Sequence, residues 1–140
     1  LGMAISPARG TAYPAREGNQ VVPWYTAASF HEALGFAIDS AQNSFWGVVS
    51  FAEHDFRLPD SRRFFDQLES AALRGVDVRL LCWSNPHFNA SKSDLFAGNV
   101  SDLAMIKRRW GHILVRWDAS PNKPHCHHQK SYVVDAVKDM

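Results

Sequence analysis

"FWGVVSF", residues 45–51, is a short, continuous apolar run rich in residues that favour extended backbone. Such a run is predicted to be a buried strand. The sequence on either side decides what kind of sheet that strand enters. Upstream, Phe30, Ala33, Leu34, Ala37, Ile38 and Ala41 follow i, i+3, i+4 steps and make one apolar stripe of a helix. Ser29 and Glu32 have capping-box spacing at its start, where each side chain can satisfy an orphan backbone N–H. Downstream, "AEHDFRLPD" is a loop ended by Pro59, with Asp60 as the expected N-cap of a second helix. Phe64, Phe65, Leu68, Ala71 and Ala72 share one face of that helix, and Gly75 supplies its stop.

The same alternation continues to the end. "VDVRLLC", 76–82, is a second predicted strand, and 84–99 reads as irregular, broken by Pro86 and Gly98. Ser101 is the expected cap of a helix through Leu103, Ile106 and Trp110, closed by Gly111. "HILVRW", 112–117, and "QKSYVVD", 129–135, complete the strands. Strands separated by helices imply βαβ units, so the predicted class is α/β with a largely parallel or mixed sheet flanked by helices. Residues 1–18 carry Gly2, Pro7, Gly10, Pro14 and Gly18 without an apolar period and are expected to be a flexible lead-in to one domain, 19–140.

With 140 residues, 46% hydrophobic and 21% charged, the chain has ordinary globular composition. A net charge of +1 leaves no whole-chain bias toward nucleic acid or an anionic membrane, so any anion recognition must be local. No run reaches the roughly 18 apolar residues of a membrane span, and no signal-peptide pattern opens the sequence. Leu1 stands where a natural start would have Met. The expected location is cytoplasmic or membrane-peripheral. Cys82 and Cys126 are far apart and read as free thiols.

Local anion recognition has one obvious candidate, "HCHHQKSYVVD", 125–135. On a strand, residues two apart share a face, so His128 and Lys130 project together while Gln129 faces away. An imidazole beside an ammonium is unfavourable unless an anion lies between them, and a phosphoryl group serves that purpose. Lys130 would face phosphoryl oxygens as a compact positive charge. His128 can attack phosphorus or donate a proton.

His128-x-Lys130-x4-Asp135 resembles the H-x-K-x4-D signature of the phospholipase D superfamily. "HHQK" followed by "SYVVDA" is similar to the first such motif of phospholipase D enzymes, within a lobe running from about residue 20 to 140. The resemblance implies a metal- and cofactor-independent phosphodiesterase or phosphatidyltransferase. His128 would be the nucleophile that forms a phosphohistidine, or the general acid if this copy takes the other role. Lys130 would hold phosphate oxygens, and Asp135 would support the motif structurally and electrostatically. His127 is often paired with the motif histidine, and Trp83 and Asn85, after the second strand, could line a substrate cleft.

Two departures from the pattern matter. The family builds one site from two motifs, and this chain has one. The Gly-Ser-x-Asn-type segment expected beyond the aspartate is also absent before Met140. The resemblance therefore implies a lobe truncated at its C-terminal side, inactive alone, whose partner is a second H-x-K-x4-D lobe in the same longer chain or in a homodimer. A phospholipid is the expected substrate, with peripheral membrane contact. A nuclease of the same fold and a non-catalytic headgroup-binding module are the alternatives.

Other readings of these residues are weaker. His125, Cys126, His127 and His128 could ligate zinc, but adjacent strand residues diverge and no second cluster has ligand spacing. Glu53, His54 and Asp55 follow the first strand and read as a solvated loop. Lys107, Arg108 and Arg109 read as a solvated helix face. Trp46, Trp83, Trp110 and Trp117 read as core or rim.

Overall fold

The computed structural model describes residues 18, 20–50, 53–83, 100–118 and 128–136, with backbone alone for 100–103. Seven elements follow in the order α1 (Ala27–Ser40), β1 (Ser44–Val49), α2 (Phe64–Leu73), β2 (Asp77–Trp83), α3 (Val100–Arg109), β3 (Leu114–Asp118) and β4 (Ser131–Val134). The fold is α/β. Its four strands lie in the order β3-β2-β1-β4. β1 pairs in parallel with β2, and β2 with β3, whereas β4 runs antiparallel to β1. The sheet is thus mixed, and the direction of travel reverses at β1, with β2 on one side of it and β4 on the other.

Strand alternation sorts the residues onto two faces. Phe45 and Val49 of β1 and Val78, Leu80 and Cys82 of β2 are buried together with Leu34 and Ile38 of α1, Phe65, Leu68 and Ala71 of α2, and Ile106 of α3. Trp110, just beyond α3, stacks on Phe65 at 5.0 Å and donates its indole N–H to Asp66 at 2.8 Å. That aromatic pair ties α3 to α2. On the other face Trp46, Val48, Leu81, Leu114 and Val133 line a shallow groove with Arg79 and Arg116, and Leu114 and Val133 are exposed.

Gly47 explains how an uninterrupted apolar strand meets β4. A Cβ at this position would stand 2.8 Å from Leu80 Cδ2 and 3.1 Å from the Tyr132 ring. The missing side chain lets Tyr132 lie across the strand, within 5.7 Å of Phe45 and 6.4 Å of Phe64. Burial among these rings pushes the Tyr132 hydroxyl pKa up to about 12. Cys82, fully buried, is a free thiol raised to about 12 for the same reason. Cys126 lies outside the described residues.

The helix ends correct the expected caps. α1 begins earlier than the Ser29–Glu32 spacing predicts: Thr26 is its N-cap, accepting the Ser29 N–H at 3.1 Å. Ser29 lies inside the first turn and returns its hydroxyl to the Thr26 carbonyl at 3.0 Å. Asp60 does not cap α2, whose N-cap, Arg63, makes no side-chain capping bond. Asp60 instead accepts the Arg62 N–H at 3.0 Å and the Arg62 guanidinium at 2.7 Å. Arg62 also reaches Asp39 at 2.7 Å, fastening the loop to α1. Gly75 does end α2, at φ +95. No described helix is long and apolar enough to cross a membrane.

Candidate functional site at the switch between β1 and β4

The carboxyl ends of β1, β2 and β3 and the amino end of β4 meet at one edge of the sheet. In open α/β sheets ligands bind outside the carboxyl ends of strands, in the crevice where the strand order reverses. Here that crevice lies between β1 and β4. Residues 128–130 lead into β4 at this point, and all three are exposed.

Lys130 is placed by β1. Its ammonium donates to the Ser50 hydroxyl at 3.4 Å, and that hydroxyl donates to the Gln129 carbonyl at 3.4 Å. Ser50 immediately follows β1 and is fully buried. Lys130 also borders the apolar groove between α1 and β4, with Phe30, Tyr132 and Val134. His128 stands two residues before Lys130 at the same end of the sheet. Trp83 ends β2, opposite Asp118 of β3, again at this end. From β2 to β4 is two strand spacings, about 10 Å.

Asp135 is elsewhere. It follows β4 at the opposite end of the sheet, about 16 Å of extended chain from Lys130. Its carboxylate accepts the backbone N–H groups of Gln42 at 3.0 Å, Asn43 at 2.6 Å and Ser44 at 3.1 Å. Its own N–H donates to the Ser44 carbonyl at 2.8 Å, and Ala136 N–H donates to the Ser44 hydroxyl at 3.1 Å. Asp135 adopts φ +49, a left-handed conformation that Asp tolerates better than most residues. Three donated N–H groups hold its carboxyl pKa below the usual range. This geometry makes Asp135 a staple between β4 and the turn that starts β1, with no access to a ligand held at Lys130.

The described structure therefore places His128, Lys130 and Trp83 at one end of the sheet and Asp135 at the other. His127 and Asn85 lie outside the described residues, as do His125 and Cys126. Among the described residues no three His, Cys, Asp or Glu side chains gather as a metal site would require. The loop after β1 is held by charge pairs: Asp55 takes the Arg63 guanidinium at 2.5 Å and that of Arg57 at 3.6 Å. The Arg63 bond draws the Asp55 pKa down. Sequence reading passed over Ser50. Its signal was a lone hydroxyl closing an apolar strand, where a sixth apolar residue would have been expected.

No protein-family profile matches the sequence, and no curated protein sequence matches it. A solved structure does. The fold is similar to that of a phospholipase D family member, Nuc from Salmonella typhimurium. The two share 25% identity at a TM-score of 0.51 over 79% of this chain. The match spans 60% of Nuc.

Proposed function

We propose that this chain is one lobe of a phospholipase D-type phosphodiesterase or phosphatidyltransferase that acts on phospholipids through His128. The observation that carries the reading is the position of the His128-x-Lys130 pair. It stands at the strand-order switch of a sheet similar in fold to a phospholipase D family member.

In this mechanism a phosphodiester sits with its non-bridging oxygens against the Lys130 ammonium. An imidazole nitrogen of His128 attacks phosphorus. The P–N bond forms as the P–O bond to the leaving alcohol breaks, and the alcohol oxygen takes a proton from a histidine of a second lobe. Water, or a second alcohol, then attacks the phosphohistidine with that histidine as base. Its proton passes to the base, and His128 leaves as free imidazole. Lys130 stabilises the charge that builds on the phosphoryl oxygens in both steps. Asp135 takes no part in proton transfer; it sets the pairing of β4 on β1.

The test uses the protein expressed from its full gene, with His128→Ala as control, on phosphatidylcholine and on bis(p-nitrophenyl) phosphate in EDTA. The expected result is turnover that persists in the chelator and falls at least 10³-fold in the variant, as for loss of a nucleophile. Activity lost to EDTA would overturn the metal-independent reading and favour the zinc reading of "HCHH". Cleavage of nucleic acid in preference to lipid would replace the lipid substrate with the nuclease alternative. Phosphate binding without turnover would leave a recognition module.

A further inference from the structure

We infer that Ser50 is the positioning residue of this site, fixing the Lys130 ammonium against the end of β1. The inference rests on the proposed phosphodiester site and extends it by one residue.

Three polar side chains are buried among the described residues: Ser44, Ser50 and Gln67. Two have structural partners. Ser44 takes the Ala136 N–H, and Gln67 reaches Asp60. Ser50, with no exposed surface, turns its hydroxyl toward residues 129 and 130 instead. A hydroxyl has one proton and two lone pairs. Donating that proton to the Gln129 carbonyl fixes the rotor, so the lone pairs are left for Lys130. The two bonds therefore act in sequence. The first locks the backbone leading into β4, and the second holds the ammonium on its long, flexible stem.

An unrestrained lysine stem spreads its charge over many positions, whereas an anion site needs it at one. Ser50 also leaves two of the three ammonium protons unused by this contact, enough to meet two phosphoryl oxygens. The hydroxyl itself does not touch the substrate. Its effect runs through Lys130.

A thermodynamic cycle on the 140-residue chain tests this, with inorganic phosphate as the probe and NMR chemical shifts as the readout. Ser50→Ala should weaken phosphate about three- to tenfold, the scale of one ordinary hydrogen bond. Lys130→Met should weaken it at least as much. Ser50→Thr, which restores the hydroxyl, should bind more tightly than Ser50→Ala. In the Lys130→Met background, Ser50→Ala should cost nothing further, because the group through which it acts is gone. Thermal midpoints confirm that each variant is folded. Unchanged affinity in Ser50→Ala, or losses that simply multiply in the double variant, would overturn the role of Ser50 while leaving the site intact. If Lys130→Met binds phosphate like the wild type, the phosphodiester site itself fails, and the positioning role fails with it.

Discussion

Asp135 completes the H-x-K-x4-D spacing in sequence and stands apart from His128 and Lys130 in space. The four residues of β4 separate it from Lys130, and its carboxylate is engaged by the N–H groups of Gln42, Asn43 and Ser44. The consequence is a pH dependence of stability. Its folded pKa lies below the unfolded value of about 3.9. The charged form is therefore favoured by folding. Its stabilising contribution is present in full above the unfolded pKa and is lost as pH falls through the folded one. Asp135→Asn should lower the thermal midpoint at pH 7, and the gap to the wild type should close in acid. Melting curves from pH 7 to pH 2 measure this. A gap that stays constant with pH would mean that shape, not charge, holds the turn. The H-x-K-x4-D spacing was legible in the sequence, but the backbone partners of Asp135 were not, since they lie more than ninety residues away.

Elements were legible where their periodicity was strong. The α1 and α2 stripes and the apolar runs of β1 and β2 appear where the 3.6- and 2-residue patterns place them, with ends shifted by one to three residues. The ends depended on local competition that the spacing could not resolve. Thr26 and Ser29 both suit an N-cap, and Thr26 wins because Phe30 already donates its backbone N–H to the Thr26 carbonyl at 3.2 Å. Asp60 has a guanidinium two residues away and folds onto it rather than onto α2. The direction of β4 was hidden for another reason. No helix separates it from β3 among the described residues, so the βαβ rule that orders the first three strands has nothing to act on. The cap assignment has a direct test: Thr26→Ala should cost about 1 kcal/mol in urea unfolding, and Ser29→Ala should cost less. The reverse order would move the helix start back to Ser29.

At the scale of the molecule, one sheet performs two tasks at its two ends. At the amino end of β1, Asp135, Ser44 and Ala136 fix the register of β4. At the carboxyl end, that register delivers Lys130 to Ser50 and places His128 at the crevice where strand order reverses. The α/β class followed from the order of patterns along the chain, and similarity to a phospholipase D family member agrees with it. The site was legible only as a cluster of residue types. Its place at the end of the sheet, and the buried serine beside it, required the parallel pairing of β1 with β2 and the antiparallel return of β4. The measurement that most directly tests His128 as nucleophile is mass spectrometry after a quench in alkaline denaturant, where a P–N bond survives. The protein from the full gene is mixed with phosphatidylcholine, stopped during turnover and digested. The reading predicts a phosphorus-bearing adduct on His128 that is absent from His128→Ala. Turnover with His128 unmodified, and continuing in His128→Ala, would contradict it.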